Sequence, residues 1–237
     1  MKKYIGTKQI EAEPMTMGEA YERGLLQVGR VPDAEYAKRM GYHVKYADGY
    51  GSWSPAEPFE EAYKLADTSL DRMQIEAEEV NGRYVKLAAF IDSGKMDEVV
   101  NDMYNKCLLE MQCCTMFDYI RLLDTRIQRM QGSDGEKVRK MNFGMAIMAL
   151  KAGYPIRRSG WNGKGLMVFK QVPAHIESDI IPKMQSLPQS AKDLILKGKG
   201  FIDYTSQCLI YNENTGRADS WVPSISDVFA EDWEIVC

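Results

Sequence analysis

Histidine is scarce in this chain: His43 and His175 are the only two among 237 residues. Hydrolytic triads and acid–base pairs mostly rest on histidine or on carboxylates with tuned pKa, and neither histidine sits in a catalytic motif. G-x-S-x-G, P-loop and G-x-G-x-x-G patterns are all absent. The loop "GWNGKG" (Gly160 to Gly165) is too short for a P-loop and lacks its Lys-Ser/Thr ending. Apolar runs fall far short of the roughly 18 residues that a membrane span needs, so no membrane partner is expected. Excess positive charge is missing too. The net charge is −4, whereas a nucleic-acid groove carries a basic footprint, so no nucleic-acid partner is expected; a local basic pocket is compatible with that balance. The five cysteines are odd in number and form no C-x-x-C pair. That pattern predicts buried thiols in a reducing cytoplasm rather than disulfides, and with so few histidines no zinc site is expected. "MKKYIGTKQIEAEP" opens with lysines but has no apolar core, so it does not read as a secretory signal.

What is present is ordinary globular material, 45% hydrophobic and 27% charged, enough for one or two domains with real cores. The pattern predicts an α+β protein. Residues 1–67 read as a small α+β domain. In it "GYHVKYADGYGSW" makes two strands joined at Asp48-Gly49, and "SPAEPFEEAYKLA" starts a helix capped by Ser54 with Pro55 in its first turn. Residues 68–131 read as a helical hairpin. Leu70, Met73, Ala77, Val80, Tyr84, Leu87 and Ile91 form one heptad-like stripe, with Asn81-Gly82 as a weak point. Val100, Met103, Cys107, Met111, Cys114, Phe117, Ile120, Leu123, Ile127 and Met130 form another. Residues 132–140 are a polar linker. Residues 141–237 then form a small antiparallel-sheet domain with helices. Asn142 caps "FGMAIMALKAG", "PIRRS" and "LMVFKQV" are strands, Pro188 to Gly198 is a helix, and "FIDYTSQCLIYNENTGRADSWV" supplies two strands. "SISDVFAEDWEIV" closes with a short helix and a last strand.

Two phrases occur twice. "GSWSPAEPFEEAY" and "DSWVPSISDVFAEDW" share Ser-Trp-x-Pro followed by Phe, acidic residues and an aromatic; "MTMGEAYERG" and "MNFGMAIMALKAG" share M-x-x-G-x-A. The first 67 residues are therefore expected to be a reduced relative of the C-terminal unit, with a helix packed on a small antiparallel sheet.

A nucleotide-like ligand needs aromatic faces, phosphate donors and groups for ribose hydroxyls, and the C-terminal unit offers all three. Phe143, Trp161, Trp221 and Trp233 are the aromatics. Arg157, Arg158, Lys164 and the backbone of Gly163 and Gly165 are donors, glycine letting the backbone approach closely. Asn162, Ser224, Ser226 and Asp227 are compact polar groups in loops. Each has a plainer reading. Trp221 and Trp233 flank strands and suit a core, and Asp227, Glu231 and Asp232 suit helix capping. Trp161, inside a glycine-bracketed loop, is the aromatic that a core explains least.

"MNFGMAIMALKAGYPIRRSGWNGKGLMVF" followed by "SWVPSISDVFAEDWEIV" resembles the phage Thoeris anti-defence sponge family over Met141 to Val236. The matching positions are Arg158, Trp161, Asn162 and Gly163, then Trp221, Ser224, Asp227, Ala230, Glu231, Asp232 and Trp233. The segment before the hairpin resembles another small phage-encoded domain. The family resemblance implies a homo-oligomer that binds and sequesters a cyclic ADP-ribose-type signal, in some members also cyclic dinucleotides, without cleaving it. Pockets would lie at or near subunit interfaces. It implies no cofactor, no enzyme activity and a place in the cytoplasm of the infected host. On that reading Trp161 or Trp221 stacks on a base, Arg157 or Arg158 meets phosphate, and Asn162, Ser224 or Asp227 meets ribose. Pro173 to Gly200 and everything before Met141 depart from the short family pattern. The alternative from another class is a phage structural or interaction protein that oligomerises through the hairpin; a nucleotide hydrolase is a third.

Overall fold

The computed structural model describes residues 9–236. The chain divides into two compact units, with the boundary after Ile75.

The first unit is a three-stranded antiparallel sheet of β1 (Glu11–Thr16), β2 (Met40–Lys45) and β3 (Gly51–Pro55), in the order β1-β2-β3. Helix α1 (Met17–Glu22) packs on it. Thr16 Oγ1 accepts from Glu19 N at 3.3 Å while Glu19 Oε2 accepts from Thr16 N at 2.8 Å, a reciprocal capping box. Met15, Met17, Ala20 and Val44 form the buried centre. Trp53 donates its indole N–H to Met15 O at 2.9 Å. A helix on a small antiparallel sheet is thus present, and Thr16 caps α1 through its side chain. One sequence expectation is corrected. Ser54 does not cap α2 (Ala56–Ala62); it belongs to β3, and Pro55 stands at the N-cap with no side-chain bond. Extended backbone continues to the proline because the residue before proline is driven out of the α region. Strand β1 was not foreseen.

Helix α3 (Ser69–Asp92) runs unbroken through Asn81-Gly82; a short α4 (Met96–Val99) and the long α5 (Met103–Met130) follow. The tilted rings of Tyr84 and Phe117 meet 5.6 Å apart between α3 and α5, and Tyr119 donates its hydroxyl to Glu76. The phase of α5 differs from the expected stripe. Leu109, Cys113, Met116, Ile120, Leu123 and Ile127 are buried or half-buried, whereas Met103, Cys107, Met111, Cys114 and Phe117 are exposed. Both sets follow three-and-four spacing; only contact with a partner selects between them. Cys107 and Cys114 are consequently exposed rather than buried, and the four described cysteines are free thiols. Cys237 lies outside the described residues. Among the described residues no helix is long and apolar enough to cross a membrane.

The linker folds back on the end of α5, where Arg129 donates to the carbonyls of Asp134 and Glu136, the latter at 2.8 Å. Helix α6 (Phe143–Lys151) follows. Asn142 caps it by accepting from Met145 N at 3.0 Å, and Asn142 Nδ2 donates to Asp118 of α5 at 2.6 Å. The C-terminal sheet holds β4 (Ile156–Arg158), β5 (Leu166–Lys170), β8 (Cys208–Asn212), β9 (Arg217–Ser220) and β10 (Trp233–Ile235), all antiparallel in the order β10-β4-β5-β8-β9. Met145, Ala146, Ala149 and Leu150 of α6 meet Ile156, Val168 and Trp233 in one core. Between β5 and β8 the chain makes an excursion: β6 (Ala174–Ile176), α7 (Gln189–Lys197) and β7 (Ile202–Tyr204), with β6 and β7 paired as a ribbon. Its neck is pinned by Gln171 N donating to Gln207 O at 2.7 Å and by the two side-chain amides at 2.8 Å. The "FIDY…SWV" stretch therefore makes three strands rather than two, because β7 leaves the main sheet to pair with β6. Helix α8 (Ile225–Val228) precedes β10.

Candidate functional site

Pairing of β4 with β10 sets Arg158 opposite Trp233 and Arg157 opposite Glu234. That register brings the two motifs together despite their distance in the chain. At the centre is Asp227, 7% exposed. Its Oδ1 accepts from Arg158 Nη1 at 3.0 Å and from Trp161 Nε1 at 3.1 Å. Its Oδ2 accepts from Ser224 N at 3.0 Å and Ser224 Oγ at 2.7 Å. The last two bonds, with Asp227 N donating back to Ser224 Oγ at 3.2 Å, form the capping box of α8. Arg158 also donates through Nε to Asp232 Oδ1 at 2.8 Å and through Nη1 to Ser226 O at 3.2 Å. Asp232 Oδ2 accepts from Gly160 N at 2.8 Å.

The electrostatics follow. Burial works against the Asp227 carboxylate, but the bonds from Ser224, Arg158 and Trp161 outweigh it and lower its pKa from 3.8 to about 2. Burial likewise opposes Asp232, and bonds from Arg158 and Gly160 hold it below the usual range. Arg158 is raised by its bonds to Asp232 and Asp227. An Asp227 held at about 2 stays ionised and exchanges no proton near neutrality.

Beneath this layer lies Trp233, fully buried, donating Nε1 to Asp227 O at 3.1 Å. Trp161 and Trp221 meet it edge-on, with ring centres 5.5 and 6.1 Å away, and Phe143 meets it at 5.7 Å. The glycines answer to packing. A Cβ on Gly160 would lie 2.5 Å from Asp232 Oδ2, one on Gly163 2.4 Å from Leu166 Cδ1, and Gly165 sits at φ +76°.

The structure thus gathers Phe143, Arg158, Trp161, Trp221, Ser224 and Asp227 into one braced cluster around Trp233. Arg157 lies outside it, half exposed and bonded to Glu234 at 3.1 Å. Asn162 and Lys164 are exposed on the loop that the cluster holds; Ser226, also exposed, and Asp227 belong to α8 rather than to a loop as expected. Ser226 Oγ lies 2.8 Å from Ser224 Oγ. Around α8, Val222, Ile225 and Phe229 are also exposed, Phe229 at 81%. Sequence reading passed over the tie between Asp118 and Asn142, which no local pattern signals; Asp232, expected to suit helix capping, instead accepts from Arg158 and from Gly160 N.

Residues 141–236 match the family described as the Thoeris anti-defense 2-like (Tad2-like) domain, and residues 67–129 match the family described as Sequestin. The protein Thoeris anti-defense 2 of Bacillus phage SP01 is 34% identical over 102 residues, which is 41% of this chain and 96% of that protein.

Proposed function

Because this chain belongs to the Thoeris anti-defense 2-like family, we propose that it is a phage anti-defence protein that works in the infected host's cytoplasm. Its C-terminal domain binds and sequesters a cyclic nucleotide signal, of the cyclic ADP-ribose type or a cyclic dinucleotide, and releases it unaltered. The observation that carries this reading is the Asp227 network, which braces the loops of both motifs from within. A sponge must bind below signalling concentrations, and nanomolar affinity corresponds to about −12 kcal/mol. Loops ordered in advance lower the entropic cost of reaching it.

The network also divides the labour. Arg158 is neutralised by two carboxylates, so its part is to hold Asp227 and Asp232. Phosphate then falls to the exposed Lys164 and to Arg157, which among the described residues pairs with the one carboxylate of Glu234. Trp161 or Trp221 supplies a face for the base, and Asn162 and Ser226 meet ribose hydroxyls. Val222, Ile225 and Phe229 offer an apolar surface to a second copy, which would complete the pocket.

Calorimetric titration with cyclic ADP-ribose isomers and cyclic dinucleotides tests this, followed by heat release and analysis of the ligand. Tight binding with intact release is the expected result. Asn162→Ala and Lys164→Ala should each weaken binding about tenfold while stability changes by less than ~0.5 kcal/mol. No binding across the panel refutes the reading, and altered ligand makes the protein an enzyme. One observation favours the reading as an interaction protein: Met103, Tyr104, Met111, Phe117 and Met130 are exposed along α5. Light scattering of Met111→Glu decides whether that face joins copies.

A further inference from the structure

The loop from Gly160 to Gly165, which carries Asn162 and Lys164, is held at both ends by residues far from it in the chain. At its entry, Gly160 N donates to Asp232 Oδ2 at 2.8 Å and Ser159 N donates to Asp232 O at 3.0 Å. At its exit stands the turn between β8 and β9. Asn214 Nδ2 donates to Lys164 O at 2.7 Å, and Glu213 N donates to Gly165 O at 2.9 Å. The approach is close. A Cβ on Gly165 would lie 2.5 Å from Glu213 Cγ and 2.6 Å from Asn214 Nδ2, and the residue sits at φ +76°, which glycine adopts without strain.

The two ends differ in kind. The entry belongs to the Arg158–Asp227–Asp232 network. The exit does not, and both Asn214 and Lys164 are exposed. The β8–β9 turn is formed by bonds of its own, Asn214 N donating to Asn212 Oδ1 at 2.9 Å and Gly216 N to Asn212 O at 2.8 Å. The Asn214 side-chain amide is left for the loop. Its bond fixes the plane of the peptide that joins Lys164 to Gly165. Since that peptide is trans, Gly165 N–H points away from Asn214. Among the described residues no acceptor meets this N–H.

We propose that Asn214 is a positioning residue for the candidate signal site, an inference that rests on the cyclic-nucleotide reading above. By drawing the Lys164 carbonyl onto the β8–β9 turn, it sets the backbone from which the Lys164 ammonium reaches a phosphate, and it presents Gly165 N–H as a second donor. Trp161, bonded to Asp227, fixes the first half of the loop, and Asn214 fixes the second.

Two measurements on the full chain test this. The first uses no ligand: amide nitrogen relaxation gives order parameters, about 0.85 for held backbone and below about 0.6 for flexible backbone. Asn214→Ala should move Gly163 and Lys164 toward the lower value, while Gly160, bonded to Asp232, keeps the upper one. Asn214→Asp preserves the shape but loses the donor, and should loosen them equally. The second is calorimetric titration with those cyclic ADP-ribose isomers and cyclic dinucleotides that the wild-type chain binds. Asn214→Ala should weaken binding about fivefold, the worth of one hydrogen bond. In the Lys164→Ala background the same change should cost only about twofold, the part carried by Gly165 N–H. A residue that merely stabilised the domain would cost the same in both backgrounds. Unchanged order parameters, or equal losses with and without Lys164, overturn the proposal. Wild-type binding that Asn214→Ala leaves unaltered overturns it alone, whereas no binding by the wild-type chain refutes the cyclic-nucleotide reading and takes this proposal with it.

Discussion

Replacing Asp227 by asparagine tests the central network directly. Each carboxylate oxygen accepts two bonds, Oδ1 from Arg158 and Trp161 and Oδ2 from Ser224 N and Oγ. An amide has one oxygen and one donor NH2, so its NH2 faces either two obligate donors, Arg158 and Trp161, or the Ser224 N–H. Two costs combine. A carboxyl lowered from 3.8 to about 2 contributes on the order of 2 kcal/mol at neutral pH by linkage. Unmet buried donors add about 1–3 kcal/mol. The expected loss is about 4 kcal/mol, a large part of the ~5–15 kcal/mol that holds a domain together. Urea denaturation followed by tryptophan fluorescence measures it. The sign with pH is fixed by the depressed pKa. Its stabilisation is fully present above the ordinary carboxylate value near pH 4 and is lost as pH falls to about 2. Asp227→Asn should therefore flatten the acid limb, leaving the smaller part that Asp232 contributes. A loss below about 1 kcal/mol at neutral pH, or an unchanged acid limb, would show that the network does not carry the domain.

Gly160→Ala places a Cβ 2.5 Å from Asp232 Oδ2, and should cost about 1–3 kcal/mol in the same assay. Leu123, 1% exposed in α5, should cost about 2–5 kcal/mol when cut to alanine, read as loss of helical circular dichroism at lower urea. His175 is raised above the ordinary histidine value by its hydrogen bond to Asp203 at 2.5 Å, with burial opposing and the charges of Asp203 and Glu177 assisting. Its contribution is complete below the unfolded value near 6.5 and fades as pH rises through the raised one. A proton NMR titration should find His175 above that reference, and Asp203→Asn should bring it down.

The helical hairpin and most C-terminal strands were readable because their apolar spacing is strong over several turns or alternates cleanly. β1 was not, since Glu11-Ala-Glu-Pro-Met-Thr buries Met15 alone and carries a proline, the composition of an edge. The phase of α5 was ambiguous because Met111 and Phe117 are as apolar as Cys113 and Met116, and the sequence does not say which row meets α3. At the candidate site, the residue types were visible but their mutual bonds were not. Trp161 looked unexplained in its loop; its indole N–H in fact answers to Asp227 and its ring to Trp233. Those partners lie far along the chain and are reached only through the β4–β10 register.

The pinned neck between Gln171 and Gln207 has a consequence for how this domain can diversify. Entry and exit of the excursion are already joined by hydrogen bonds, so β5 and β8 do not depend on what the excursion contains. Loop-closure entropy grows by only about 0.6 kcal/mol for each doubling of length. Segments can be gained, shortened or exchanged at this point without disturbing the sheet beneath, and the β6–α7–β7 appendage can change its sequence freely while the Asp227 network stays as it is.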